Sequence, residues 1–232
     1  MKSIQVTVNT TQLTRFAFVN CYLVREPDGL TLIDTGLPGS ADDIIAASRT
    51  LGAPIRRILL THAHMDHVGS VDALIAALGP TTVELISNTR SLPLLQKPPV
   101  TALQPNEPQT KIKGGLPGIE SRPTRLLIEG DLVGSLRVIE TPGHIPGHLS
   151  FLDQRDGTLY AGDALIAVGG LSVCGWTPWY FPSNPFTWHK PTALVSAQKL
   201  LTYPIERFAS GHGPIQTGGV PALRTAIAKA QP

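Results

Sequence analysis

The sequence predicts an α/β protein in which two β-sheets pack face to face and carry helices on their outer sides. Two observations support this fold class. Short apolar runs typical of strands alternate with stretches of helical periodicity along the chain. In addition, residues 22–34 and 151–163 share one pattern, a strand, an Asp-Gly turn and a second strand that ends at an aspartate. The shared pattern indicates two related halves, each built around a β-hairpin.

The first hundred residues contain most of the predicted strands. Apolar runs of strand type occur at residues 4–8, 17–24, 30–34, 58–61 and 82–86. A helix is predicted to begin after Ser40, because its hydroxyl can cap the helix and the aspartates that follow complement the helix dipole. Residues 68–78 have apolar side chains at helical spacing and predict a second helix.

The second half resumes after a long segment rich in proline and glycine, residues 97–123. Loops of this length in compact domains are either functional covers or disordered. Beyond it, strands are predicted at residues 125–128, 136–140, 148–153 and 158–161, and helices at 191–201 and 220–230.

The length of the chain predicts one domain over residues 1–232. We also expect a soluble cytoplasmic protein whose partner is a small-molecule substrate with an apolar group. The chain has 19 basic and 17 acidic residues, and no basic run or stripe, which argues against nucleic acid as a partner. It has two cysteines, Cys21 and Cys174, and therefore no disulfide framework. The first residues alternate like a strand, and no apolar run is long enough to cross a bilayer, so we expect neither a signal peptide nor a membrane partner.

Residues 62–67, His-Ala-His-Met-Asp-His, place four metal-binding side chains within six positions. Three of the seven histidines of the chain lie in this segment. Imidazole nitrogen and carboxylate oxygen are ligands that zinc accepts. The alternative, a set of solvated polar loop residues, leaves histidines crowded together without compensation. The segment therefore predicts a metal site.

The spacing of these residues predicts how they point. The cluster lies between a predicted strand and a predicted helix, so His62 and His64 in an extended chain face one side together. Ala63 and Met65 would then turn towards the core. The helical zinc motif of metalloproteases needs two histidines four residues apart. His62 and His64 are two residues apart, so this motif is excluded for them. Residues 66 and 67, at the turn into the helix, could face a second ion.

Further ligands are expected from loops that follow other predicted strands. His144 follows Thr-Pro-Gly, Asp163 follows a glycine, and His212 lies between two glycines. Each is a polar donor beside glycine, where backbone can approach closely. Each one alone is an ordinary turn residue. Together with residues 62–67 they form a set of seven ligands for two ions.

These motifs, in this order and at these separations, resemble the metallo-β-lactamase superfamily, as does Asp34-Thr-Gly36. The resemblance implies a four-layer αββα sandwich of two mixed sheets flanked by helices. It also implies ligand roles. His62, His64 and His144 would hold one ion, Asp66, His67 and His212 the other, and Asp163 would bridge them. Asp34 would orient a ligand by hydrogen bonding, with a strand-end cap as its alternative role.

Two neighbouring divalent ions can share a water, lower its pKa and polarise a carbonyl or phosphoryl oxygen, so the bridging hydroxide would be the nucleophile. We expect zinc, with Mn²⁺, Fe²⁺ and Co²⁺ as alternatives. Asp66 is the candidate catalytic residue, which would pass a proton to the leaving group. We expect His148 to hold a metal ligand in position without binding the ion itself, with hydrogen-bond donation to an oxyanion as the alternative.

Residues 165–190 form a second distinctive segment, in which aromatic residues are concentrated among prolines. We expect a cap over the substrate, whose apolar group would contact Trp176, Trp179, Tyr180 and Phe181. An ordinary loop packed on the core and a homodimer interface are the alternatives.

The predicted function is hydrolysis of a small ester, lactone, thioester or phosphoester by a dinuclear metal centre. The chain lacks the Cys-Gly-Arg element that glyoxalase II enzymes carry after their Gly-Asp. Two alternatives remain. A persulfide-dioxygenase-like enzyme would hold one iron with His62, His144 and Asp163 alone. An RNA-processing nuclease would need an RNA-binding arm and a basic face.

Overall fold

The structure, a computed structural model, describes residues 1–181 and 184–230. Residues 182 and 183 of the predicted insertion 165–190, and the last two residues of the chain, lie outside the described part. The chain forms two compact units. The first comprises Met1–Val100 and Gly115–Leu127, and the second comprises Thr101–Gly114 and the chain from Ile128 onward.

The first unit contains a seven-stranded mixed sheet whose strands follow one another in sequence order. Its strands are β1 (Lys2–Gln5), β2 (Thr10–Arg15), β3 (Val19–Glu26), β4 (Gly29–Ile33), β5 (Ile55–Leu59), β6 (Glu84–Asn88) and β7 (Arg125–Leu127). Its helices are α1 (Ala41–Thr50), α2 (Met65–Val68), α3 (Val71–Leu78) and α4 (Leu92–Leu95), and a 3₁₀ turn spans Thr89–Ser91.

Strands β1 to β4 pair antiparallel, whereas β4 to β7 pair parallel. Parallel neighbours need crossover connections, which α1 and α3 supply. Strand β4 is buried along its whole length, and β5 buries its apolar residues Ile55, Ile58 and Leu59, as expected for the centre of such a sheet. Because their carboxyl ends meet at one edge, Asp34 and the segment after Leu59 emerge side by side.

The second unit contains a six-stranded mixed sheet in the order β15-β14-β11-β10-β9-β8 and a two-stranded sheet of β12 and β13. Its strands are β8 (Leu132–Val133), β9 (Leu136–Glu140), β10 (Leu149–Asp153), β11 (Thr158–Gly162), β12 (Leu165–Ile166), β13 (Ser172–Val173), β14 (Arg207–Ser210) and β15 (Gln216–Thr217). A 3₁₀ turn spans Asn184–Phe186, and the helices are α5 (Lys190–Leu200) and α6 (Gly219–Lys229).

Strand β10 is antiparallel to both β9 and β11, and β11 is parallel to β14. Strands β9, β11 and β14 therefore run in one direction and end at the same edge of the sheet. An apolar core that includes Leu159, Phe208, Leu200 and Leu223 joins this sheet to α5 and α6. The predicted α/β class, with two mixed sheets flanked by helices, is confirmed.

Several predicted element boundaries are wrong in the first unit. Strand β2 is absent from the sequence prediction, because its residues Thr10–Arg15 are mostly polar even though its first four residues are buried. The predicted helix 68–78 is two helices, α2 and α3, with a break at Gly69 and Ser70. An added Cβ on Gly69 would meet Pro38 at 2.4 Å, so the close approach of Pro38, 31 positions away, requires glycine at this break.

The Pro/Gly-rich segment 97–123 contains no helix or strand, as predicted. Its residues 101–114 belong to the second unit, where the Trp188 indole N–H donates to the Thr110 carbonyl (2.8 Å) and Lys113 donates to the Thr187 carbonyl (3.1 Å). Its residues 115–123 belong to the first unit. Among residues 1–181 and 184–230, no helix combines the length and apolar character needed to cross a membrane.

Candidate metal centre

The segment after β5 carries four of the predicted ligands in the first unit. His64 has extended backbone (φ −71°, ψ 152°) and precedes α2, so His62 and His64 lie on the extended part and Asp66 and His67 on a helical turn. The His62 Nε2 and His64 Nδ1 atoms are 3.1 Å apart. Ala63 is buried as predicted, but Met65 is 43% exposed, because the alternation of an extended chain ends where α2 begins.

Asp34 orients two of these histidines. It follows β4 with φ 58°, in the left-handed region that aspartate and asparagine tolerate better than other side chains. Its carboxylate accepts from His67 Nδ1 (2.7 Å), from the Thr61 hydroxyl (2.7 Å) and from the Thr61 N–H (2.8 Å). Since Nδ1 of His67 donates to this carboxylate, Nε2 is the ring nitrogen that could bind a metal ion.

Thr61 extends this orientation to His62. Its single hydroxyl proton goes to Asp34, which can only accept as a carboxylate, so the Thr61 oxygen accepts from His62 Nδ1 at 3.0 Å. That hydrogen bond leaves Nε2 of His62 as the ring nitrogen that could bind a metal ion. The sequence prediction did not include Thr61, although its place at the end of a strand and beside His62 was a signal.

We expect Asp34→Asn to weaken metal binding about 10- to 100-fold while the fold persists. Asparagine tolerates the left-handed backbone. However, its side chain has one acceptor oxygen and a nitrogen that only donates, so it cannot accept the hydrogen bonds from both His67 and the Thr61 N–H as the carboxylate does. Competition with a chromophoric chelator measures the metal dissociation constant. Asp42→Asn, at an exposed position in α1, is the matched control. Equal affinity in the two variants would contradict the orienting role.

The second unit brings three predicted ligands to one edge of its sheet. His144 lies in the loop after β9, Asp163 directly follows β11, and His212 follows β14. All three are buried. The Asp163 Oδ2 atom is 3.5 Å from His144 Nε2 and 3.2 Å from His212 Nε2. A carboxylate placed between two imidazoles is suited to share a cation with each of them.

His148 holds the backbone beside Asp163. Its Nε2 accepts from the Asp163 N–H (3.0 Å), so its proton is on Nδ1, which donates to Thr141 Oγ1 (2.8 Å). The Thr141 hydroxyl then donates to Ser150 Oγ (2.8 Å), and Ser150 donates to the Ala161 carbonyl (3.3 Å). Because His148 Nε2 accepts a hydrogen bond, it carries no proton to donate to an oxyanion. These hydrogen bonds give His148 a positioning role. Thr141 and Ser150 were missed by the sequence prediction.

The four predicted substrate residues occupy different environments in the second unit. Trp176 is half-buried against the apolar core, with Lys190 Nζ 5.4 Å from its ring centre. Trp179 and Tyr180 are exposed. The Phe181 ring centre lies 5.3 Å from that of His212. Of these four, Phe181 is therefore the residue that the structure places beside a predicted ligand of the same unit.

The donor set fits divalent metal ions. Each of the seven predicted ligands belongs to a group of at least three histidine and aspartate side chains that could hold an ion. Six of them are buried, and Asp66 is partly exposed. Burying imidazoles and carboxylates together is costly unless a cation or matched partners compensate them. The donors in these groups are imidazole nitrogen and carboxylate oxygen. Burial raises the pKa of both cysteine thiols, Cys21 and Cys174.

Comparison with known proteins gives matches over most of the chain. A family model described as the metallo-beta-lactamase superfamily matches residues 14–212. The uncharacterized protein YobT of Bacillus subtilis is 49% identical over 215 residues, 92% of this chain and 91% of that protein. The hydroxyacylglutathione hydrolase GloC of Haemophilus influenzae is 30% identical over 211 residues, 86% of this chain and 88% of that protein.

A solved structure is similar as well. The crystal structure of TTHA1623 in a di-iron-bound form has a TM-score of 0.65 and 28% identity, and the likeness covers 94% of this chain and 96% of that one. With the family match, this likeness shows an α/β sandwich fold, as the sequence predicted.

Proposed function

We propose, because this chain belongs to the metallo-β-lactamase superfamily, that it is a hydrolase with two divalent metal ions in its active site. The observation that carries the proposal is the donor set, in which every predicted ligand belongs to a histidine and aspartate group able to hold an ion. The similarity to TTHA1623, which has been crystallised with two irons, supports a dinuclear centre.

In this proposal the ligands divide as the family resemblance implies. The first ion is held by His62, His64 and His144, the second by Asp66, His67 and His212, and both by Asp163. Two such ions, when bound, supply a water of lowered pKa and polarise the oxygen of the scissile bond. Zinc suits nitrogen and oxygen donors, and iron, manganese and cobalt suit them too.

The protein's own residues have distinct parts in this reaction. Asp34 and Thr61 hold His67 and His62 with the correct ring nitrogen directed to an ion. His148 holds the backbone at Asp163. Asp66 is 28% exposed, which gives its carboxylate the access to substrate that the buried ligands lack. We propose that it carries a proton to the leaving group.

The proposed substrates are small carboxylic esters, lactones, thioesters or phosphoesters with an apolar group. A thioester is favoured by one specific observation, the likeness to a relative named hydroxyacylglutathione hydrolase over 86% of this chain. An apolar ester or lactone is favoured by the concentration of aromatic residues in 165–190. The two classes differ in the leaving group, a thiol or an alcohol.

Metal quantification and a substrate screen on the purified protein test this proposal together. We expect two divalent ions per chain and turnover of at least one of four probes: an acyl-thioester, a lactone, a p-nitrophenyl ester and a phosphodiester. Thiol release measured with a colorimetric disulfide separates the thioester from the oxygen esters. One iron per chain with oxygen consumption would instead establish the dioxygenase alternative, and cleavage of RNA alone would establish the nuclease.

A further inference from the structure

Residues 177–181 and 184 form what we call the aromatic turn. The Phe181 N–H donates to the Pro178 carbonyl (2.9 Å), which closes a β-turn with Trp179 and Tyr180 at its tip. Tyr180 rests on Gly169, where an added Cβ would meet the tyrosine hydroxyl at 1.9 Å. The tip is therefore anchored by Tyr180 and leaves Trp179 92% exposed.

One side chain closes the base of the aromatic turn. The Asn184 Oδ1 atom accepts from the Thr177 N–H (2.9 Å), and Asn184 Nδ2 donates to the Thr177 carbonyl (3.1 Å). The Thr177 hydroxyl is also 3.1 Å from the Phe181 carbonyl, which it can reach as a donor. Because these bonds involve both ends of the turn, they limit the positions open to Phe181.

The inner face of the aromatic turn presents Phe181 to a proposed metal ligand. The ring centres of Phe181 and His212 are 5.3 Å apart and their planes are inclined at 55°. His212 is buried, whereas Phe181 is half-buried and so retains surface that another group can cover. A substrate group that approaches the ion at His212 therefore approaches this ring.

We propose that Phe181 contacts the acyl group of a carboxylic ester or thioester substrate and makes the enzyme selective for apolar acyl chains. This inference rests on the proposed hydrolase function. The leaving atom and the carbonyl oxygen both gain negative charge as the ester reacts, and an apolar ring disfavours a developing charge because it offers no hydrogen bond. The apolar chain of the substrate gains no charge, so the ring of Phe181 suits that chain. Series of esters that lengthen either the acyl chain or the alcohol test the assignment to the acyl side.

A series of p-nitrophenyl esters from acetate to octanoate tests this assignment with a constant leaving group. We expect Phe181→Ala to lower kcat/KM for hexanoate about 10-fold while the acetate value changes less than about 3-fold. Phe16→Ala, which removes an exposed phenyl ring outside residues 165–190, is the matched control and should leave both values unchanged. A parallel series of acetate esters with alcohols of increasing length tests the leaving side.

Asn184→Ala tests the turn itself, since it removes the closing hydrogen bonds and keeps the phenyl ring. We expect a smaller loss of selectivity, carried by KM rather than kcat, because the ring is present but less well positioned. Metal content and melting temperature should match the parent in all three variants, which shows that selectivity and not folding has changed.

Binding of carboxylate products gives a readout that does not need turnover. By calorimetry with the metal-loaded protein, we expect hexanoate to bind more tightly than acetate, and Phe181→Ala to remove most of that difference. If the parent hydrolyses none of the four probes of the substrate screen, the proposed function fails and the calorimetry alone decides this inference. If esters are hydrolysed but Phe181→Ala keeps the parent's acyl selectivity, or changes selectivity only along the alcohol series, the assignment of Phe181 is wrong.

Discussion

Replacing Asp66 with alanine should lower kcat by at least about 100-fold for every substrate that the parent protein turns over. The change removes the proposed proton carrier and one proposed ligand of the second ion. Asp66 lies in the first turn of α2 and its side chain is 28% exposed, whereas the other six proposed ligands are buried. We therefore expect the fold to survive and the melting temperature of the apo protein to stay within about 2 °C of the parent.

Two further variants separate the roles of Asp66. Asp66→Asn keeps the size of the side chain and one oxygen, so it should retain more metal than Asp66→Ala but remain as inactive. Asp42→Ala, which also removes an acidic residue from the first turn of a helix, is the control for effects on helix stability. Full activity in Asp66→Ala with a normal metal content would show that Asp66 is not catalytic.

Removing the metal ions should have the largest effect on the whole protein, with loss of all hydrolytic activity and a marked loss of stability. A ligand present at 1,000 times its dissociation constant stabilises the folded state by about 4 kcal/mol. For a chain of this size, each kcal/mol shifts the melting temperature by about 2–4 °C. We therefore expect the melting temperature to fall by about 8–16 °C after dialysis against a chelator.

The physical reason lies in the buried donors. His62 and His64 have ring nitrogens 3.1 Å apart, and the buried Asp163 carboxylate lies close to two imidazoles. A bound cation compensates these groups, and its removal leaves their burial less well compensated. Scanning fluorimetry with elemental analysis before chelation, after it and after addition of zinc measures the effect. Complete metal loss without a change in melting temperature would contradict it.

Much of the candidate site could be predicted from the sequence, because its donors stand in short motifs. The types and spacing of residues 62–67 predicted a metal site before any other element was considered. The donors at 144, 163 and 212 were predictable because each follows a strand and adjoins glycine. Their parallel strands bring the last three to one edge, where Asp163 lies 3.5 Å and 3.2 Å from its two histidine neighbours.

Other features depended on contacts that no local pattern encodes. The break between α2 and α3 lies at Gly69, where the close approach of Pro38 requires glycine, whereas the residues alone favour one continuous helix. Strand β2 is polar in sequence, yet pairing with β3 buries most of it. The aromatic residues of 165–190 form one compositional group, but packing sends Trp176 to the core, Trp179 to solvent and Phe181 to His212.

The sequence by itself determined which donor atoms the chain carries, which strands they follow and which superfamily it belongs to. Only the tertiary structure decided how those donors are oriented. Asp34 reaches His67 across 33 positions and Thr61 across 27, and His148 reaches Asp163 across 15. These bonds select the proton-bearing nitrogen of His67 and His148 and, through the Thr61 hydroxyl, that of His62. The physical reason is that a hydrogen bond depends on distance and angle in space, which sheet pairing sets, and not on separation along the chain.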